Sequence, residues 1–447
     1  MNLNALLLRR AGEGRPVGIG MIGAGKFGTM FLSQVRRTPG LHLVGLVDLA
    51  PERAKENLRY CGWEEERFSA RSLDDAARGG ATCVTEDAQA VLSHPAVEVV
   101  IEATGDPGAG IAHCLAAIEN GKHVVMVNVE ADVVAGPLLA ERARQAGVVY
   151  SLAYGDQPAL ICEHVDWARA CGFEVVCAGK GTRYHPAFHE STPDTVWEHY
   201  GLSPEKAERG RMNPKMFNSF LDGTKSGIEM SAVCNATGLV PQPDGLSFPP
   251  ASIYELSSVC RPEEKGGVLA RSGTTEVVSS LHRDMRPVEN HLQMGTYVVI
   301  AAGHDYVRFC AEEYKLLPDD RFEHIALYRP IHLIGLELGI SVASVALRGE
   351  PTGAPTGFRS DVVATAKRDL QAGEILDGEG GYCVWGRQVP AEVSLRDGLL
   401  PLGLAHKVRL KSDVARGAAL RWTDVEIDPQ DPVVRVRREM ERMFAPT

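Results

Sequence analysis

The chain has 447 residues, 44% apolar and 23% charged, with a net charge of −11. That length calls for two or three domains, each able to bury a core, and no Lys/Arg run is long enough to track a phosphate backbone, which argues against nucleic acid and anionic membranes as partners. The ten cysteines, from Cys61 to Cys383, contain no C-x-x-C pair, so reduced and mostly buried thiols of a cytosolic protein are expected rather than zinc sites or disulfides.

In chain order, the opening MNLNALLLRRAGEGRP has a short leucine run followed by Arg9 and Arg10. That is the wrong order for a secretory signal, and a cytoplasmic protein is expected. Residues 17–22 read as a buried strand, 27–37 as a helix and 41–47 as a second strand. Strands at 97–102, 123–127 and 148–151 alternate with helices at 108–120 and 137–146, the second starting at Pro137. This alternation predicts an α/β fold whose first 157 residues form a doubly wound parallel sheet, a Rossmann domain.

Gly23-Ala-Gly25-Lys26-Phe27-Gly28 fits G-x-G-x-x-G, follows a strand and opens a helix, with Asp48 at the end of the next strand. In that setting Gly23 permits the tight turn, Gly25 lets the backbone approach a pyrophosphate, and Gly28 lets helix pack on strand. The helix N-terminus then holds the phosphates of NAD(H) or NADP(H). Asp48 suits a ribose 2′-hydroxyl and would repel a 2′-phosphate, whereas Arg53 could pair with one, so cofactor choice stays open. Thr104, Gly105 and Asn128 end later strands on the ligand-binding edge and are candidates for the nicotinamide half; Asn128 equally fits a loop cap.

Residues 158–325 are less regular and richer in Pro, Asn, His and aromatics, as an inserted α+β catalytic domain would be. Two polar stretches stand out there. In AGKGTRYHP (178–186), Lys180, Arg183, His185 and exposed amides could receive a phosphate or carboxylate, although the stretch also fits a solvated strand end. In NPKMFNSFLDGTKSGIE (213–229), Asp222 could cap a helix starting at Thr224, which puts Lys225 in its first turn. There the macrodipole disfavours a cation, and Lys225 before Glu229 is the weaker order for an i,i+4 pair. A surface salt bridge is therefore a poor explanation; Asp222, Lys225 and Glu229 look like proton-transfer or metal-polarising groups. Lys215 and Asn218 are candidate substrate contacts in the same stretch. His185 and His189 are separated by Pro186, which argues against a shared zinc. Residues 326–348 read as one apolar helix packing back on the first domain, and 349–357 as a linker. Within 358–430, Asp369-Leu370, Gly373 and Leu376 recur as Asp413-Val414, Gly417 and Leu420 at the same offsets, which suggests a small, separate β-rich domain.

The runs STPDTVWEHYG (191–201), MNPKMFNSFLDGTKS (212–226), NATGL (235–239), LYRPIHLIGLELGIS (327–341) and VVATAKRDLQAGE (362–374) resemble the 1-deoxy-D-xylulose 5-phosphate reductoisomerase-like (DRL) family, related in fold to homoserine dehydrogenase. The tail is similar to a SAF domain, a β-clip module. The resemblance covers essentially the whole chain. It implies an NADPH-dependent isomeroreductase making 2-C-methyl-D-erythritol 4-phosphate for isoprenoid synthesis. In that mapping Lys180, Arg183 and His185 hold the phosphate, while Asp222, Lys225 and Glu229, with a divalent cation (Mg or Mn) allowed, polarise substrate oxygens and move protons. Homoserine dehydrogenases commonly carry lysine after the asparagine matching Asn128, where this chain has Val129. A dehydrogenase of a polyol, sugar acid or sugar phosphate is the alternative. A sensor without chemistry is disfavoured by Lys225, and a homodimer is expected by analogy.

Overall fold

Val17–Ile22 (β1) is buried along its whole length and pairs in parallel with Leu41–Val47 (β2) on one side and Val99–Glu102 (β4) on the other. With Cys83–Thr85 (β3), His123–Met126 (β5) and Tyr150–Leu152 (β6), they form a six-stranded sheet of order β3-β2-β1-β4-β5-β6. All its pairings are parallel. Strand order reverses between β1 and β4, where the carboxyl ends of the strands open a ligand crevice in sheets of this kind. Helices Lys26–Val35 (α1), Pro107–Glu119 (α2) and Val129–Gln145 (α3) alternate with the strands. Sequence reasoning starts α3 too late, at Pro137. Asn128 caps it instead, its side chain accepting from the Ala131 amide, and Pro137 lies inside the helix, at the cost of one backbone bond to the Val133 carbonyl.

The structure, a computed structural model, describes residues 2–209 and 212–445 and divides into two units. The first runs to Leu160 and takes up Leu333–Thr356; the second holds Ile161–His332 and the described residues from Gly357 onward. The single helix expected over 326–348 is instead a strand, an irregular turn and a helix. His324–Arg329 is extended, and only Gly339–Arg348 is helical. Pro330 explains the break: it disfavours helical backbone at Arg329 and donates no amide. Leu338, Val342 and Val345 then join the apolar core of the first unit with Phe31, Leu32 and Ile101.

In the second unit, Val175–Thr182 (β7), Thr274–Ser279 (β8), Thr296–Ala301 (β9), Leu317–Pro318 (β10) and His324–Arg329 (β11) form a mixed sheet of order β10-β11-β9-β7-β8. Pro214–Leu221 (α4) and Thr224–Thr237 (α5) follow one another across Asp222 and Gly223. Helix α5 lies against β8 and against two strands of the tail, Ser360–Ala366 (β12) and Val384–Pro390 (β14). Where the sequence suggests a tail standing apart, the chain from Gly357 onward thus shares a unit with α5. The junction is polar as well as apolar: Asn235 Oδ1 accepts from the Arg359 and Ser360 amides at 2.8 and 3.0 Å, and Thr224 Oγ1 accepts from the Gly386 amide at 2.8 Å.

The repeat in the tail is a local two-fold arrangement. Leu370 and Val414 exchange backbone bonds at 2.9 Å in both directions. Asp369 Oδ1 accepts from the Arg416 amide, and Asp413 Oδ1 accepts from the Ala372 amide, each at 2.8 Å. Gly373 and Gly417 both take positive φ, and their amides donate to the Leu410 and Ala366 carbonyls respectively. Each half therefore uses the other as its hydrogen-bonding partner.

Candidate functional site

The glycine loop has the geometry its spacing predicts. Gly23 has φ +100°, and a Cβ there would stand 2.5 Å from the Ala103 carbonyl oxygen. A Cβ on Gly28 would stand 2.7 Å from the Gly23 carbonyl oxygen, whereas one on Gly25 would meet nothing within 4 Å. Two glycines therefore serve the fold, and the third leaves open the space a pyrophosphate takes. Helix α1 begins at Lys26 and Phe27 without a side-chain cap, so the positive end of its dipole faces the loop. The Asp48 carboxylate accepts from the Ala24 and Ala50 amides at 3.0 and 2.9 Å and from the Arg53 guanidinium at 3.0 Å. It thereby ties the loop to the end of β2. Thr104 donates to the buried Glu102 at 2.6 Å, Gly105 turns the chain at φ +73°, and Asn128 Nδ2 donates to the Asp106 carbonyl at 2.8 Å.

In the second unit, Lys180 points from the middle of the mixed sheet and forms an ion pair with Glu229 on α5, both side chains being almost wholly buried. Such a pair must stay matched, because either charge alone in the interior is costly. Lys225 lies half-buried one turn before Glu229 on the same helix. Asp222 ends α4, and its Oδ1 accepts from the Thr224 amide at 2.9 Å; Gly223, at φ +90°, makes the turn into α5. The capping role expected of Asp222 is thus present, although the formal cap residue is Gly223.

Three expected contacts are absent from this cluster. Lys180 lies in regular strand, its backbone paired with Val277 and Thr296, so the exposed amide nest foreseen at 178–186 does not form. Arg183 donates to the His199 carbonyl at 3.0 Å. His185 caps a short 3-10 turn and contacts the Arg283 carbonyl at 3.1 Å. Lys180 lies within β7, whereas Arg183 and His185 follow its end at Thr182, so these neighbours in sequence do not share one strand face. Asn218 Nδ2 donates to the Ser191 and Gly380 carbonyls at 2.9 Å each, and Lys215 to the Asp377 carbonyl at 3.3 Å; both serve the loop from Asp377 to Gly381.

A divalent cation needs several oxygen donors free to close on it. Asp222 and Glu229 are each closed by a lysine instead, and among the described residues no group of three His, Cys, Asp or Glu side chains could hold a metal. This donor set does not fit a resident cation, and no step below is routed through one.

The scan against family models finds two matches. Residues 17–153 match the oxidoreductase family with an NAD-binding Rossmann fold, and residues 155–338 match the catalytic domain of oxidoreductase DRL. Among curated proteins, a 1-deoxy-D-xylulose 5-phosphate reductoisomerase of Pseudomonas syringae pv. tomato is 32% identical over 405 residues, covering 81% of this chain and 98% of the relative. The chain belongs to the DRL oxidoreductase family. A protein of the same description from Stutzerimonas stutzeri is 28% identical, covering 59% of the DRL chain and 69% of its own length. Among solved structures, the myo-inositol dehydrogenase of Lactobacillus casei in complex with NAD(H) and myo-inositol aligns at 16% identity and a TM-score of 0.29, over 41% of the DRL chain and 52% of that chain. By its two family matches, the DRL chain is an NAD(P)-dependent oxidoreductase.

Several polar residues of the DRL chain escape sequence reasoning. His189 Nδ1 contacts the Asp222 carbonyl at 2.7 Å, and Nε2 contacts the Tyr184 hydroxyl at 2.7 Å. A carbonyl only accepts, so Nδ1 carries the proton and Nε2 accepts from Tyr184. Burial pushes the His189 pKa below its ordinary value, which keeps the ring neutral. Glu276, a wholly buried residue of β8, accepts from the Ser247 hydroxyl at 2.7 Å and the Val277 amide at 2.8 Å; burial raises its pKa. Lys367, in the tail, forms an ion pair with Asp222 at 2.7 Å. Its only sequence signal is its place in the family-like run 362–374.

Proposed function

We propose that this oxidoreductase is an NAD(P)H-dependent isomeroreductase converting 1-deoxy-D-xylulose 5-phosphate to 2-C-methyl-D-erythritol 4-phosphate, an isoprenoid precursor. The buried ion pair between Lys180 of β7 and Glu229, which lies one turn after Lys225 on α5, is the observation that carries the reading. Curated relatives bearing that reaction's name, one matching nearly its whole length, support it. Rearrangement of the carbon skeleton yields an aldehyde. The glycine loop would hold NAD(P)H, which would supply the hydride; Lys225 gives the proton to the carbonyl oxygen, while the Lys180 ammonium, held by Glu229, polarises the neighbouring oxygens.

A second reading is a dehydrogenase acting on a polyol or sugar acid of unchanged skeleton. One observation favours it: Arg183 and His185, the side chains mapped to the phosphate, are engaged with backbone carbonyls elsewhere. Absorbance of reduced nicotinamide, followed over a panel of sugar phosphates, polyols, sugar acids and homoserine, separates the two. Turnover of 1-deoxy-D-xylulose 5-phosphate with NADPH is the expected result, and turnover confined to an unphosphorylated alcohol would select the second reading. Lys225→Ala should lower turnover on the order of a hundredfold on whichever substrate responds; full activity would remove the lysine from the chemistry.

A further inference from the structure

Asp222 is entirely buried, and so is the lysine beside it. Lys367 Nζ lies 2.7 Å from Asp222 Oδ2, 2.7 Å from the Ser191 carbonyl and 2.8 Å from the Gly381 carbonyl. The ammonium donates to the two carbonyls, which fix its place, and it stands beside the Asp222 carboxylate as an ion pair. Asn218 donates to the same Ser191 carbonyl and to Gly380, the neighbour of Gly381. Two side chains thus fasten the Gly380–Gly381 turn and the Ser191 turn on either side of Asp222. The turn accepts no side chain: Gly380 has φ +64°, and a Cβ there would stand 2.0 Å from the Lys215 carbonyl oxygen. A second tail residue reaches the same place. Trp385 stacks on His189 at 3.9 Å between ring centroids, and His189 is bonded to the Asp222 carbonyl.

We propose that the C-terminal tail is a working part of the catalytic unit, and that Lys367 is the positioning residue for Asp222. The inference rests on the reading above together with the role that the family resemblance implies for Asp222, polarising substrate oxygens and moving protons. Lys367 supplies the counter-charge beside Asp222 and aims its carboxylate, while Oδ1 stays on the Thr224 amide at the start of the helix carrying Lys225 and Glu229. Removing the lysine frees the carboxylate to turn, and a displacement of the order of 1 Å at a reacting group costs about a hundredfold in rate.

The test is a double-mutant cycle in the full-length chain on the best substrate of the panel: Asp222→Asn, Lys367→Met, both together, and Lys367→Arg. Lys367→Met should lower kcat about a hundredfold with little change in KM or in NAD(P)H affinity measured by nucleotide fluorescence. Lys367→Arg should recover part of the loss. The double variant, which removes both charges, should be no slower than Asp222→Asn alone, because the lysine acts only through that carboxylate. It also keeps the cycle readable if Lys367→Met fails to fold, since the matched removal of a buried pair is tolerated far better than removal of one partner. Arg368→Ala, at an exposed pair with Glu374, is the neutral control. Losses that multiply in the double variant, or a Lys367→Met variant with wild-type kcat, would overturn the assignment. If Asp222→Asn itself leaves kcat untouched, the underlying reading of Asp222 fails instead, and the two failures are told apart.

Discussion

The nucleotide loop of the first unit is assembled within one stretch of chain, from Gly23 to Arg53, in which the Asp48 carboxylate at the end of the next strand bonds the Ala24 amide and the Arg53 guanidinium. The polar site of the second unit draws Lys180, His189, Asp222, Glu229 and Lys367 from separate elements, with Lys180 of the sheet joined to Glu229 of α5 and Lys367 arriving from the tail. The first arrangement depends on backbone shape, so the glycines can be replaced only by something equally small. The second depends on matched charges in a dry interior, so its residues can be exchanged only in pairs. Function and folding are separable in the loop and entangled in the site.

The sharpest way to break this contrast is Glu229→Gln. It strands the Lys180 ammonium, whose side chain and partner are both less than a tenth exposed. An uncompensated buried charge costs about 3–5 kcal/mol, so urea unfolding should show a loss of that size together with loss of turnover. Lys180→Met combined with Glu229→Leu should recover most of the stability and none of the activity. A single variant as stable as the parent would show that the site, like the loop, can be edited without touching the fold.

What could be read in the sequence follows the same division. Gly23, Gly25, Gly28 and Asp48 were legible because strand, turn and helix fix their relation over a few residues, and each proposed steric role is visible in the geometry. The tail repeat was legible too, since identical offsets imply identical turns; what spacing alone could not show is that the halves hydrogen-bond to each other. Lys225 and Glu229 stand out in the sequence through a helix rule that makes their order anomalous. The partners of Glu229 and Asp222 do not, because Lys180 reaches Glu229 and Lys367 reaches Asp222 over long sequence separations that no periodicity encodes. The phosphate receptor drawn from Lys180, Arg183 and His185 shows the opposite error, with closeness in sequence taken for closeness in space. The long helix expected at 326–348 failed for a local reason that was available, the proline at 330.

The first unit is not purely local, and Asp132 gives a second, somewhat smaller test. This carboxyl lies in the interior of α3 and accepts from the Tyr150 hydroxyl at 2.7 Å. Burial raises its pKa to about 7, against the opposing pull of the tyrosine bond. The folded protein therefore holds a proton that the unfolded chain releases, and stability must fall as pH rises from about 4 to about 7. Asp132→Asn removes this slope. The stability of the variant relative to the parent should move by about 3 kcal/mol in its favour between pH 4 and pH 8, whatever constant cost the amide carries. Unfolding curves at both pH values measure it, and parallel behaviour of the two proteins would show that the carboxyl is ionised in the fold.

The smallest expected effect decides the cofactor. Arg53 is largely exposed and bound to Asp48 at 3.0 Å, so in this state the carboxylate that suits a ribose hydroxyl is already shared with a cation. With NADH the hydroxyl adds to Asp48 beside the arginine. With NADPH the 2′-phosphate is repelled by Asp48 and attracted by Arg53, and the guanidinium has only to turn outward to take it. Arg53→Ala should therefore weaken NADPH binding by about tenfold more than NADH binding, a difference of about 1.4 kcal/mol and modest because the site is open to solvent. Fluorescence titration with both nucleotides at two salt concentrations reads it directly, and the NADPH loss should shrink as salt rises. Equal losses for the two nucleotides would mean that Arg53 works only to hold Asp48, which would make the ribose hydroxyl, and hence NAD(H), the natural occupant of the loop.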